Sequence, residues 1–422
     1  MLDRTQKLIT LDDLVNALAN DEFLYYYQPK VLMLTGELCG AEALIRWKQP
    51  DGSLVAPAAF IPLAESTGFI TEITLAMFQK LIIDVNIIND TKNSLTVSFN
   101  ASAKDFHNDR LVEAIRHAIE NKIVAAELLE VELTETAILN DQENVKQNLN
   151  KLQKLGISLA MDDYGTGFSS IDTLAKWPFS TIKLDQRMVS KLDSSDKEFT
   201  IVQASIQMAH QLELDIVAEG IESILVYQIL QNLGCTEAQG YWISHPLALA
   251  DFLDLCRSNK LWPVEPIGLI HIAQIDHIQW RKAIIDGVSY LGLRKDNLSI
   301  RGAPELDPTK CRLGRWYYGP GKRFAGLKLY DNFEVFHNRL HQIGAELLEA
   351  AKSGSAKDEL VLLMRRLTEQ SMLVLSMLQE IENELLSKSH GASTEALNAP
   401  ALLHSSATPA TATPDHSTPL DP

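Results

Sequence analysis

Strand-length apolar runs that alternate with helix-length amphipathic segments constrain this chain most. The runs fall at 95–99 (LTVSF), 128–131 (LLEV), 157–161 (ISLAM), 181–184 (TIKL) and 215–218 (DIVA). Between them, 74–89, 108–122, 141–155 and 199–212 carry apolar residues at helical spacing. Such alternation specifies a parallel sheet covered by helices. Strands roughly 20–40 residues apart have the rhythm of a (β/α)8 barrel, which needs about 250 residues. No Gly-rich phosphate loop follows the early strands, so a doubly wound open sheet ranks second. Upstream, 23–34 and 38–47 read as two more strands around the turn Thr35-Gly36, and 10–20 as a helix capped by Thr10.

The run at 157–161 leads into Asp162-Asp163 and the turn Gly165-Thr166-Gly167. Neighbouring side chains on a regular strand face opposite ways, so both aspartates reach one site only where the chain turns at a strand end. Adjacent carboxylates repel unless a cation neutralises them. A divalent metal or a pair of metals explains them; a polar turn with one Asp capping the next helix is the bland alternative. The other strand ends decide between the two. Glu42 lies in AEALIRW, Asn100 ends LTVSFN, and Glu132 and Glu135 lie in VELTET. Lys183 lies in TIKLD, Glu219 and Glu222 in VAEGIES, and Gln239 in QGYW. A barrel brings its C-terminal strand ends to one mouth. Hard oxygen donors there suit Mg²⁺ or Mn²⁺, and two such ions can activate water against a phosphodiester.

Composition narrows the partners. The 422 residues carry a net charge of −17, which argues against a DNA or RNA polymer, whose binding needs a basic surface. Four cysteines are too few for a disulfide scaffold in a chain this long. No apolar run is long enough to span a bilayer and the N-terminus lacks signal-peptide character, so the expectation is a cytoplasmic protein without membrane insertion.

The motifs AEALIRW, SFNAS, VELTET, MDDYGTGFSS, TIKLD, VAEGIES and QGYW occur in order over 8–257, and that segment resembles an EAL-domain cyclic di-GMP phosphodiesterase. The resemblance implies a modified (β/α)8 TIM-type barrel, often a homodimer, that hydrolyses cyclic di-GMP to linear pGpG. It implies that Glu42, Asn100, Glu132 and Asp162 are metal ligands, with Asp163 at the second metal. Lys183 is then expected to position the attacking water and Glu219 to act as general base or its close equivalent, with Gln239 completing the site. Gln28 and Arg46 resemble substrate contacts, Glu135 a residue that steadies the 163–170 loop, and Glu222 an outer glutamate. The alternative is a catalytically inactive cyclic di-GMP receptor, but inactive members usually lack metal carboxylates that are all present here. A signalling scaffold is the third class.

Beyond the proline-punctuated stretch 261–266, the segments 267–291, 330–352 and 357–388 read as long helices, and 294–321 as loop. His337 and His341, four apart, share a helix face. Together with Cys311 and His277 they form a set suited to tetrahedral zinc. From His271 onward, the CRLGRWYYG element and these residues resemble the chemoreceptor zinc-binding (CZB) domain, an all-α four-helix bundle. By that resemblance His277, Cys311, His337 and His341 are the zinc ligands and His271 is not. Zinc there is expected to regulate the barrel, directly or through oxidation of the metal-bound cysteine, or to hold the bundle together; other signalling proteins are further expected partners. The expected division is 1–263 barrel, 264–390 bundle and 391–422 a disordered Ala/Thr/Ser/Pro-rich tail.

Overall fold

The computed structural model describes residues 9–397, apart from 93, 135–141, 166–173, 175, 213, 265, 294–303, 320, 323 and 324. Its strands are β1 (Phe23–Leu32), β2 (Glu37–Lys48), β3 (Leu54–Val55), β4 (Thr96–Asn100), β5 (Leu129–Thr134), β6 (Ser158–Tyr164), β7 (Thr181–Leu184), β8 (Asp215–Ala218), β9 (Glu237–Ala238) and β10 (Leu247–Ala248). The helices are α1 (Leu11–Ala19), α2 (Pro57–Thr67), α3 (Ile70–Thr91), α4 (Arg110–Glu120), α5 (Gln142–Lys154), α6 (Gln186–Val189), α7 (Asp196–Gln211), α8 (Ile224–Leu233) and α9 (Leu249–Arg257). Four more follow: α10 (Pro266–Leu293), α11 (Arg312–Tyr318), α12 (Lys328–Lys352) and α13 (Lys357–Leu397).

Eight strands close a barrel in the order β1-β9-β8-β7-β6-β5-β4-β2, with β2 returning to β1; the short β3 and β10 flank it. The order is that of the expected barrel, with one inversion. β1 runs antiparallel to both β2 and β9, whereas the steps from β2 through β9 are parallel. The cause is local. Only a few residues separate β1 from β2, enough for a hairpin and too few for the crossover a parallel pair needs.

Alternation along each strand sorts its residues. Val97, Phe99, Leu129, Val131, Leu133, Leu159, Met161, Ile182 and Leu184 join the core between barrel and helices. The residues between them, at period two, face the lumen. The lumen is therefore polar. One layer holds Lys30, Glu130 and Thr181; a layer nearer the mouth holds Gln28, Glu132 and Lys183. The lower layer is tied by Lys30 Nζ to Glu130 at 2.8 Å and Thr181 Oγ1 to Glu130 at 2.9 Å.

Three long helices and the short α11 form the second unit around Phe333, Leu340, Leu347, Leu367, Val374 and Leu378. The stretch 294–321, expected to be loop, contains α11; its prolines and glycines mask the buried Leu313 and Tyr317. A Cβ on Gly314 would stand 1.9 Å from the Pro308 carbonyl oxygen, so this glycine permits the close turn into α11. The last helix continues to Leu397, into the segment expected to be tail, and 398–422 lie outside the described residues. Barrel and bundle touch. Trp262 N–H donates to Gly36 O at 2.8 Å, α10 packs on α8, and Leu34 and Val264 border the bundle core.

Candidate functional site

Lys183 is the hub of the barrel mouth. Its side chain is 1% exposed, and its Nζ lies 2.5 Å from Glu132, 2.7 Å from Glu219, 3.2 Å from Glu42 and 3.3 Å from Asp162. Four strands thus deliver four carboxylates around one ammonium. Glu42 is held at both oxygens: Asn100 Nδ2 donates at 2.7 Å and Gln239 Nε2 at 2.6 Å. Gln239 Nε2 also donates to Gln28 Oε1 at 3.0 Å, across the barrel seam closed by β1.

The electrostatics follow from crowding. Burial works to raise Glu42, but Lys183 and the donors Gln239 and Asn100 outweigh it and hold the carboxyl at about 2. Burial, with repulsion from Glu42 and Asp162, lifts Glu132 well above the carboxylate range. Burial pushes Glu219 to about 8 despite Lys183. For Lys183, burial opposes the charged form, but Glu132, Glu219, Glu42 and Asp162 together hold the proton far more tightly than usual. One lysine against four carboxylates leaves negative charge uncompensated. Glu132 Oε1 and Gln239 Oε1 are buried without a hydrogen-bond partner. The residues therefore fit a bound cation: acceptor oxygens in excess, two of them unused.

The two aspartates differ from expectation. They do not follow the strand; β6 continues through Tyr164, and its register slips between Met161 and Tyr164. This bulge, with Asp163 at φ 57°, lets adjacent residues escape strict alternation. Asp162 joins Lys183. Asp163 faces Asp185, and burial together with the charges of Asp162 and Asp185 raises its carboxyl. Arg46, four residues past Glu42 on the same strand face, stands apart at the rim, 5.9 Å from the Tyr26 ring centre. Glu222 accepts from Gln186 Nε2 at 3.3 Å. Glu135 lies outside the described residues.

A cavity of about 260 Å³ opens over this cluster, lined by Gln28, Glu42, Asn100, Asp162, Glu219 and Gln239 among others. A second, mainly apolar recess of about 360 Å³ shares Leu44 and Asn100 with it. Sequence reading missed the lower layer, Lys30, Glu130 and Thr181, and also Asp185. Their signal was spacing: each of the first three is two residues from an assigned residue, Gln28, Glu132 or Lys183.

The bundle brings together a second, chemically different group. Single donor atoms of Cys311, His337 and His341 all lie within 4.8 Å of one another, and all three residues are buried. Cys311 Sγ is 3.4 Å from His337 Nε2. His341 Nδ1 is 3.0 Å from Leu306 O, and its ring lies 4.1 Å from that of Trp280. Gly344 makes that packing possible, since a Cβ there would meet Trp280 Cη2 at 2.7 Å. His277 lines the same small cavity of about 10 Å³. Burial, then the neighbouring histidines, lowers His337 to about 3; burial, then Arg281, lowers His277 to about 4. Neutral imidazoles, a thiol and two unpartnered ring nitrogens, His277 Nδ1 and His337 Nδ1, are the donor set a soft-to-borderline ion such as Zn²⁺ takes. His271 lies in α10, with its side chain outside the described residues.

A closed, inwardly polar (β/α)8-type barrel with carboxylates around a mouth lysine defines a class. Residues 11–246 match the family described as EAL domain, and residues 277–348 match the chemoreceptor zinc-binding domain. The chain belongs to the EAL family and carries a chemoreceptor zinc-binding domain behind the barrel. It is 34% identical over 270 residues to the cyclic di-GMP phosphodiesterase NbdA of Pseudomonas aeruginosa, covering 64% of this chain and 34% of that protein. Among solved structures it resembles PaMucR phosphodiesterase in complex with c-di-GMP, at 32% identity and TM-score 0.54, over 57% of this chain and 98% of that one. It also resembles the EAL enzyme Bd1971 in its cAMP- and cyclic-di-GMP-bound form, at 30% identity and TM-score 0.56, over 58% and 67% of the two chains. The chain spans between about a third and two thirds of the length of the curated relatives it matches. Among the described residues no helix is long and apolar enough to cross a membrane.

Proposed function

We propose that the barrel hydrolyses cyclic di-GMP to linear pGpG and that zinc in the bundle regulates it. The observation that carries the first half is the Lys183-centred mouth, where Glu42, Glu132, Asp162 and Glu219 converge and Glu42 is gripped at both oxygens. Glu42, Asn100, Glu132, Asp162 and Asp163 would hold two Mg²⁺ or Mn²⁺ ions, whose oxygen preference the set matches. When bound, such ions neutralise phosphodiester oxygens and acidify a water.

The protein's own groups do the rest. Lys183 holds the carboxylates in one constellation and points its ammonium into the mouth, where it orients the water. Glu219, one-fifth exposed and 2.7 Å from Lys183, is placed at the mouth to act, in its ionised form, as the general base for that water. Gln28 and Gln239, bonded to each other, present amides to the substrate, and Arg46 at the rim offers a cation to its anionic ring. Glu222 accepts from Gln186 at the edge of the same cavity. With a phosphodiester at the carboxylates, the adjoining apolar recess is open to a flat base.

This reading includes the division into a barrel at 1–263 and a bundle at 264–390, a homodimer, and a cytoplasmic setting. Seating of α10 on α8, the helix that follows Glu219 and Glu222, supports mechanical coupling between the two units. The test is hydrolysis of cyclic di-GMP by the full chain with Mg²⁺ or Mn²⁺, before and after zinc chelation. Glu42→Gln should lower turnover by more than the roughly 100-fold that loss of an outer-shell partner can cost a metal site. Binding without turnover in the unaltered chain would replace the enzyme reading with a receptor; turnover indifferent to chelation would remove the regulatory half.

A further inference from the structure

His277 stands slightly apart from the Cys311, His337 and His341 group: it lines their cavity but is outside the set whose donor atoms lie within 4.8 Å of one another. Its ring is 1% exposed. Nε2 lies 2.8 Å from Ser371 Oγ, while Nδ1 has no hydrogen-bond partner. Ser371 is itself completely buried, on α13, between the core residues Leu367 and Val374. α13 supplies none of the four expected ligands and lies beyond the 277–348 match to the zinc-binding domain.

An imidazole that binds a metal through one nitrogen carries its proton on the other, and the partner of that N–H fixes both tautomer and ring orientation. With Nε2 tied to Ser371, Nδ1 is the nitrogen left for an ion. We propose that Ser371 is a positioning residue of the bundle's metal site: its hydroxyl accepts the Nε2–H of His277 and so presents Nδ1 to a Zn²⁺ shared with Cys311, His337 and His341. The inference rests on the zinc reading of the bundle. It makes α13 part of the site's outer support, so zinc occupancy is felt along all three long helices.

The packing favours this over a hydroxyl merely satisfied in the core. A serine among leucine and valine neighbours is replaceable by an apolar residue at little cost unless its oxygen serves a partner, and the partner here is a ring that lines the cavity and whose other nitrogen has no hydrogen-bond partner.

The experiment uses the full-length chain. Zinc affinity is measured by competition with a chromophoric chelator for the unaltered protein, Ser371→Ala and Ser371→Thr, and the tautomer of each histidine is read by ¹⁵N–¹H NMR in the zinc-loaded unaltered protein. Ser371→Ala should bind zinc about 10- to 100-fold more weakly, the usual loss when an outer-shell partner is removed. Ser371→Thr, which keeps the hydroxyl, should restore most of that affinity. His277 should appear as Nδ1-ligated with a proton on Nε2. Equal affinity in Ser371→Ala and the unaltered chain, or Nε2 ligation of His277, would overturn the proposal. The NMR reading needs no variant, so it decides the matter even if Ser371→Ala fails to fold. An unaltered chain that takes up no zinc would instead overturn the zinc reading itself.

Discussion

The barrel mouth and the bundle pocket both gather ionisable side chains in a buried place, but they settle the resulting conflict differently. At the mouth the groups are carboxylates, and the fold supplies its own cation, Lys183, at 2.5–3.3 Å from four of them. In the bundle the groups are imidazoles and a thiol, and burial favours the neutral imidazole over the charged one. The mouth is built to persist without metal and still carry excess negative charge toward one. The bundle pocket is held by neutral contacts, Cys311 against His337, His277 against Ser371 and His341 against the Leu306 carbonyl, so an ion there would act as part of the core. Replacing each region's stabiliser should therefore have opposite metal dependences.

The largest effect belongs to Lys183→Met. It removes the sole ammonium at the hub and strands buried carboxylates, a change that destabilises by about 3–5 kcal/mol. Urea unfolding should show that loss without divalent metal and a partial recovery with Mg²⁺ or Mn²⁺, while the bundle's zinc response stays as it was. An unchanged midpoint would mean that the mouth tolerates its negative charge without the lysine, and the contrast between the regions would break.

Zinc withdrawal comes next. An ion that binds only the folded bundle at 100 times its dissociation constant stabilises by about 2.7 kcal/mol. Calorimetry of the full chain should show chelation lowering the bundle transition and leaving the barrel transition in place. Equal shifts in both would show the two units to unfold as one.

The smallest effect sharpens the comparison inside the barrel. Glu237 faces the lower lumen layer, where burial raises its carboxyl to about 7 against the pull of Lys30. Its folded value lies above its unfolded one, so the fold retains a proton that the unfolded chain has already lost. Stability contributed by this group is full below about 4.5, falls as pH rises toward about 7 and is absent above it. Glu237→Gln should thus stabilise at pH 8 relative to the unaltered chain and gain nothing at pH 4, as read by denaturant midpoints. A gain independent of pH would show that Glu237 is ionised in the fold throughout that range.

Much of this was legible in the sequence because it is local. Helix α1 was marked by Thr10, whose side chain accepts from Asp13 N–H while Asp13 reaches back to the cap. The chemistry at the strand ends was also legible, since a carboxylate closing an apolar run is improbable as plain surface; Glu42, Asn100, Glu132, Asp162, Lys183, Glu219 and Gln239 all meet at one mouth, beside Gln28, which only the family resemblance pointed to. Less visible was anything whose meaning depends on a neighbour far along the chain. Glu130 looks like a strand charge until Lys30, 100 residues away, is found against it. Asp163 looks equivalent to Asp162 until the bulge turns it toward Asp185. Ser371 carries no signal by itself, 94 residues from the ring it touches.

Alternation of strand and helix, the polar strand ends, and the identity of the soft donors were determined by the sequence itself, because periodicity and residue type act over a few residues. The stacking of two charged layers in the lumen and the drawing of His277 toward Ser371 were decided only in the tertiary structure. Those features arise from barrel closure and helix packing, which set partners that no short stretch of chain contains.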